Sequence, residues 1–369
     1  MVDHTTEIDA DVENGLMADL EIPDHPDGVT AAWLTAALAP AFPDVAVTGV
    51  TVLDQHSGTT GRLRLALEHA PGHAGPATVF VKLAPDGEAQ QKLVAATDMG
   101  RKEARFYAEL AAEVPVRVPA CYFSAHGEER TEYVMVLEDL EAAGCRFTSR
   151  DDSGADEHGG KVVEALARLH AHFWEDPRFD AELAWIPTAM RGKRGAQFVQ
   201  SALEQFGDDM PPAFTDLCRL YIDHDDEIVE LWDEGESTLV HGDTHAGNQF
   251  VDGDRVGFYD WAVISRSPGI RDVAMYLGNS VPTEVRQAEQ DGWLQAYRDG
   301  LVAAGVDAPA LEVLWDRYRR LVLYGWVGAT ATAATGSRWQ PIEVGMLGMT
   351  RATQTCADLG TVEAFRAVL

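Results

Sequence analysis

The feature that most constrains this chain is the place where its hydrophobic period changes. Between about residues 45 and 137, short segments alternate apolar and polar residues with the period of two that marks a strand. "VAVTGVTVL", "RLRLALEHA", "GPATVFVKLAP", "ACYFSA" and "TEYVMVLEDL" all read this way. One helical pattern, "MGRKEARFYAELAAEV", is inserted among them. After Gly144 the apolar residues fall at helical spacing instead, as in "GKVVEALARLHAHFW", "GAQFVQSALEQF" and "PAFTDLCRLYIDHDDEIVELW". Helices are then predicted at about 269–279, 282–304, 309–335 and 340–367, with 239–263 a loop between two short strands. Strands gathered in one part and helices in the other give an α+β fold with two lobes. The smaller lobe is an antiparallel sheet with one helix, and the larger is helical. At 369 residues the chain is long for a single core, which agrees.

The division this predicts is an acidic tail over 1–27, a lobe over 28–140 and a helical lobe over 141–369. Residues 1–27 hold nine Asp and Glu, and the first Lys or Arg of the chain is Arg62, so the tail is predicted to be mobile. Thr30 is placed to cap a short helix, "AAWLTAAL", that Pro40 closes. The whole chain carries a net charge of -31. Such a field repels nucleic acid and anionic membrane and draws in cations. The four cysteines form no Cys-x-x-Cys pair, so neither a zinc site nor a disulfide framework is expected. No run of 18 apolar residues is present, and "MVDHTTEIDADVENGL" is acidic where a signal peptide is basic. Together these predict a cytoplasmic protein without a membrane span. Nothing in the sequence sets its oligomeric state.

The chemistry is concentrated in "LVHGDTHAGNQFVDGDRVGFYDWAV", residues 239–263. Asp243 and Asn248 are five apart, the spacing of acid and amide in a kinase catalytic loop, and Asp260 follows a strand-like "RVGFY". Phosphoryl transfer needs a base near the acceptor hydroxyl, oxygen ligands for a cation, and a cradle and a positive charge for the phosphates. "SGTTG" (Ser57, Gly58, Thr59, Thr60 and Gly61) joins two predicted strands and offers backbone N–H groups and hydroxyls to a phosphate. Taken alone, a glycine-rich hairpin turn is the more common explanation of such a stretch. Lys82 lies within the apolar strand "TVFVKLA", costly to bury unless paired, and Glu103 on the predicted helix is available to pair with it. Lys82 at a sheet edge would instead reach out to water. The acids of 239–263 also suit turns.

A metal-dependent phosphatase competes for the same stretch, because Asp243–His245 supplies an Asp-x-His pair. Its further ligands fail, since "DGDRVG" lacks a second Asp at the right place and "LGNSVP" has serine where histidine is required. His170 and His172 are two apart on a helix and point to different faces, so they make poor joint ligands. Asp272, at a helix start, is placed to brace the loop.

"HGDTHAGN" followed by "YDWA" resembles the aminoglycoside phosphotransferase and choline-kinase-like superfamily, relatives of the protein kinases. "VMVLEDL", "ALARLHAHFWEDP" and "LVHGDTHAGNQF" look most like its ecdysteroid-kinase-like branch. The resemblance, from about residue 28 onward, implies a bilobal protein-kinase-like fold, ATP or GTP as donor, and Mg2+. It implies Lys82 and Glu103 as the pair that positions phosphates. Leu137, Glu138, Asp139 and Leu140 become a hinge that meets the base. Asp243 becomes the catalytic base, and Asn248 and Asp260 the metal ligands. Trp261 and Ala262 replace Phe-Gly, and Asp272 follows Asp260 by only twelve residues, which leaves no room for a peptide-docking loop. The acceptor is then a small hydroxylated molecule, and the acidic field favours a cationic one. A catalytically silent, nucleotide-binding pseudokinase is the alternative, though Lys82, Asp243 and Asp260 are all present.

Overall fold

The computed structural model describes residues 20–58, 60–148, 154–188, 193–336 and 342–369. The larger part of the acidic tail (1–19) and Thr59 lie outside the described residues. The chain divides into two compact units, one comprising residues up to Ala111 together with Ala120–Ala143, the other Ala112–Pro119 together with Gly144–Leu369.

The first unit is built on five strands, β1 (Val47–Ser57), β2 (Gly61–His69), β3 (Thr78–Leu83), β4 (Cys121–His126) and β5 (Tyr133–Glu138). They form one antiparallel sheet in the order β1-β2-β3-β5-β4. Alternation decides which face is buried. Leu63, Leu65 and Leu67 of β2 join Val79, Val81 and Leu83 of β3 and Val134 and Val136 of β5 in one core. Helix α1 (Ala31–Leu38) covers that core with Leu34 and Leu38, and Thr30 caps it by accepting the Trp33 N–H at 3.2 Å. Leu20 and Ile22 pack against the same core, so the chain is anchored from Leu20 onward, before the expected boundary at 28.

Where one inserted helix was expected, the chain forms two, α2 (Glu88–Thr97) and α3 (Met99–Glu109). Asp98 separates them in the left-handed region, at φ 58°, with its carboxylate paired to Arg101 at 3.0 Å. Helix α2 buries only Val94, so it has no apolar stripe for a periodicity reading to find. Helix α3 buries Gly100, Glu103, Ala104, Phe106 and Tyr107, a spacing that matches its pattern.

The second unit is mainly helical: α4 (Ala155–His172), α5 (Arg194–Phe206), α6 (Pro212–Asp223), α7 (Asp225–Leu231), α8 (Ile270–Asn279), α9 (Thr283–Ala303), α10 (Leu311–Ala334), α11 (Ile342–Leu359) and α12 (Thr361–Arg366). Helix α10 packs on α8, α11 and α5, and α4 packs on α9. Two segments that read as single helices are broken, at His224 and at Gly360, the latter at φ 62°. Strands β7 (Thr238–Val240) and β10 (Ser265–Ser267) pair with one another. Strands β6 (Arg146–Phe147), β8 (Gln249–Asp252) and β9 (Arg255–Phe258) form a second ladder. The stretch 239–263 is thus no simple loop, because a hairpin turning at Gly253 (φ 60°) occupies its middle. Buried Phe250, Val256 and Phe258 hold that hairpin in place. The four cysteines are free, and among the described residues no helix is long and apolar enough to cross a membrane.

Candidate active site

After β7 the chain must turn sharply, and Gly242 makes the turn at φ 82°. A Cβ at that position would meet the Val263 carbonyl oxygen at 2.4 Å, so only glycine fits. The turn leaves two backbone N–H groups pointing at the first turn of α8. Asp272 accepts both, from His241 at 2.7 Å and from Gly242 at 2.9 Å. The Thr244 hydroxyl donates to the Asp272 carbonyl at 2.7 Å. His170 approaches the same carboxylate at 3.3 Å through Nε2, while its Nδ1 meets the Tyr297 hydroxyl at 2.9 Å. Burial opposes ionisation of Asp272, but its interactions with His170, His241 and Arg271 outweigh burial and hold the carboxyl below the usual range. From the far side, the Tyr324 hydroxyl of α10 donates to the Gly242 carbonyl at 2.9 Å. The Arg271 guanidinium lies 4.6 Å over the Tyr324 ring and donates to Ser265.

On this support stand the polar side chains that the spacing singled out. Asn248 donates its amide N–H to both the Asp243 carbonyl and the Asp243 Oδ2, each at 2.9 Å. That leaves the amide oxygen of Asn248 as its acceptor group. His245 Nδ1 accepts the Gly247 N–H at 2.9 Å, which puts the ring proton on Nε2, 3.4 Å from Asp243 Oδ2. That separation is too long for a well-formed hydrogen bond but close enough for electrostatic attraction. Burial opposes ionisation of Asp243, but His245 and His241 outweigh it, and the carboxyl titrates below its ordinary range. The Asp243 side chain is still 34% exposed, so a reactant can reach it. His241 is fully buried against Trp261, donates from Nε2 to the Tyr259 carbonyl at 3.0 Å, and has its pKa lowered chiefly by burial. Asp260 adopts φ 64°, a conformation costly for a residue with a side chain and one that recurs at functional positions. Its charge is felt by Asp243.

The first unit holds the other residues of interest. Lys82 on β3 and Glu103 on α3 form an ion pair, with Lys82 4% and Glu103 0% exposed. The register that sets Gly61 opposite Leu83 and Arg62 opposite Lys82 places the β1–β2 turn at the same end of the sheet. Ser57, Gly58, Thr60 and Gly61 form that turn, with Gly58 donating to the Thr60 carbonyl at 3.1 Å. The Ser57 hydroxyl accepts the Asp86 N–H at 3.2 Å and the Thr60 hydroxyl accepts from Arg62 at 3.3 Å, so neither is idle. Leu137 and Glu138 end β5, and Asp139 and Leu140 follow it. Asp139 is committed to structure there, pairing with Arg64 at 2.8 Å and accepting the Glu141 and Ala142 N–H groups.

Tyr324, Arg271, His241 and Ser280, whose hydroxyl accepts the Ala246 N–H at 2.8 Å, were not singled out from the sequence. Nothing local marks Tyr324, which is 82 residues from the carbonyl it meets, whereas His241 lies within "HGDTHAGN" itself. Beside Asp243 and His245 opens a cavity of about 350 Å³, whose described lining residues all belong to the second unit.

The model of the phosphotransferase enzyme family matches residues 66–319. Solved structures of similar fold include the GDP complex of aminoglycoside 2'-phosphotransferase-IIIa, with 15% identity, 89% of this chain and 99% of that chain covered, and a TM-score of 0.51. Ethanolamine kinase from Plasmodium vivax is 12% identical, with 96% of each chain covered and a TM-score of 0.50. Choline kinase from Cryptosporidium parvum is 9% identical, with 98% of this chain and 99% of that chain covered and a TM-score of 0.54. No match is found among curated proteins. At these identities the likeness is one of fold.

Proposed function

Because the chain belongs to the phosphotransferase enzyme family, we propose that it moves the γ-phosphoryl group of ATP or GTP onto a hydroxyl of a small molecule, with Asp243 receiving the proton. Phosphotransfer to an alcohol is the activity of the family; the donor, the metal and the residue roles are our reading. The observation that carries it is the Asp243 carboxylate, ionised, within reach of solvent and oriented by Asn248. A carboxylate of depressed pKa is a weak base, but transfer through a loose transition state asks little more of it. It must orient the hydroxyl and take its proton as the new P–O bond forms.

Asn248 through its amide oxygen and Asp260 through its carboxylate are the groups we assign to magnesium. A few hard oxygen donors suit that ion, which keeps several of its waters. When bound, the ion would neutralise charge on the phosphates. Lys82, held by Glu103, is assigned to the phosphates, and the backbone of the Ser57–Gly61 turn to their cover. The end of β5 and the two residues after it, Leu137 to Leu140, are assigned to the base. The GDP in a structure of similar fold agrees with a nucleotide donor. Within the family, the likeness of "VMVLEDL" and "LVHGDTHAGNQF" to the ecdysteroid-kinase-like branch remains a reading of the sequence.

Calorimetric titration of ATP with magnesium, alongside phosphate-transfer assays, tests the division of roles. Asp243→Asn is expected to bind nucleotide as the wild type does and to lose transfer by at least about 10²-fold, the scale of general base catalysis. Asp260→Ala is expected to weaken magnesium-dependent binding itself. Equal nucleotide binding in the two variants would overturn the assignment of Asp260, and unchanged turnover in Asp243→Asn that of the base.

A further inference from the structure

We propose that the acceptor is a compact, uncharged and largely apolar alcohol carrying a second polar oxygen, seated in the cavity beside Asp243. This rests on the phosphotransfer reading above, since only that reading makes the cavity an acceptor site. Its volume of about 350 Å³ sits at the small end of the roughly 300–1,000 Å³ common for ligand pockets. Phe198, Tyr221, Trp232, Met275, Tyr324 and Val327 are its large apolar and aromatic lining residues.

Charge decides against a cation. The net charge of -31 led to the expectation of an amine, but a field summed over a whole surface acts through solvent and is screened within about 10 Å at 0.1 M salt. The wall itself has the opposite character. Among the described lining residues Asp243 is the only carboxylate, and Arg194 adds a positive charge. An amino sugar with several ammonium groups would leave them unpaired against apolar side chains, a heavy desolvation cost. An aromatic cage for a quaternary ammonium is compromised as well. The Tyr324 ring already carries the Arg271 guanidinium at 4.6 Å, and Trp232 is stacked on Tyr221 with centroids 5.9 Å apart.

Two polar atoms qualify the apolar wall. Trp232 Nε1 and Asn279 Oδ1 belong to lining residues that are 3% and 2% exposed, and neither has a hydrogen-bond partner among the described residues. Buried polar groups are nearly always satisfied. One is a donor and the other an acceptor, and a hydroxyl, which both donates and accepts, is a group that can serve either. In the reaction the other hydroxyl loses its proton to Asp243 and bonds the γ-phosphorus. The bond from that phosphorus to the β,γ-bridging oxygen breaks, and the nucleoside diphosphate leaves with that electron pair.

The test uses the full chain and four probes: cyclohexylmethanol, 1,4-cyclohexanedimethanol, kanamycin and choline. Binding is followed by tryptophan fluorescence and calorimetry, and transfer from magnesium-ATP by mass spectrometry. Both neutral alcohols are expected to bind, the diol more tightly, and the two cations to leave the signal unchanged. Asn279→Leu is expected to abolish the preference for the diol. Val327→Asp, at a half-exposed wall position, is expected to weaken both alcohols by about tenfold or more and to admit choline. Binding of kanamycin or choline in competition with the alcohols would overturn the proposal. So would failure of the alcohols to bind, or indifference of the diol preference to Asn279→Leu. The proton-acceptor reading fails separately: transfer that survives in Asp243→Asn would sink it while leaving alcohol binding in place.

Discussion

Asp272 shows how much one buried carboxylate can organise. It accepts two successive backbone N–H groups and lies against His170, so its removal orphans donors that have no route to water. Asp272→Asn is expected to cost at least about 2 kcal/mol, since the replacement turns an N–H₂ toward groups that themselves donate. The pH dependence has a definite sign. The folded carboxyl titrates below its ordinary value, so the stability it confers is complete above the unfolded pKa of about 3.9 and is lost as pH falls through the folded pKa. Urea unfolding of wild type and Asp272→Asn across the acid range should therefore show a shallower decline for the variant; parallel curves would mean that Asp272 is not the titrating brace. Legibility at this scale followed sequence distance. The Asp243–Asn248 contact could be read because the two lie five residues apart, and the structure joins them by hydrogen bonds. The Lys82–Glu103 pair was visible because a lysine in an apolar strand requires an anion. Tyr324 and Arg271 were not, because only the packing of α10 on α8 brings them beneath the loop.

Among the elements, α3 carries the greatest consequence per residue, because it bears Glu103 and is pressed against β5. The fit is set by Gly100, where a Cβ would meet the Tyr133 ring at 2.1 Å. Tyr133 is fully buried and has nowhere to retreat. Gly100→Ala favours the helix intrinsically by about 1 kcal/mol, yet overpacking at this contact costs about 1–3 kcal/mol. The net expectation is destabilisation, with a shift of α3 that moves Glu103 relative to Lys82. A raised KM for nucleotide with a smaller change in kcat would report the shift, whereas a stabilised variant with unaltered KM would show that the contact is soft. Strands were legible here because β2, β3 and β5 bury alternate residues against one core. The hairpin of β8 and β9 was obscured by its own turn residues, and α2 by its lack of an apolar face.

At the scale of the molecule, 60 acidic residues face 29 lysines and arginines. Surface ion pairs contribute about 0–1 kcal/mol each and are weakened by salt. The excess of like charge opposes compactness, and salt relieves that opposition. The two effects pull the thermal midpoint in opposite directions. With 31 uncompensated charges the repulsion should win, so raising NaCl from about 0.01 M to 0.15 M, which shortens the screening length from about 30 to 8 Å, should raise Tm by about 2–5 °C. A falling Tm in calorimetry would mean that paired charges dominate. The same titration bears on the acceptor. A cation approaching this surface is drawn by its field, so its KM would climb as salt screens the attraction. A neutral alcohol feels no such pull, and its KM should stay level across the range, with any change confined to the anionic nucleotide. A KM for the acceptor that climbs with salt would place the decisive charge on the acceptor and count against an uncharged one.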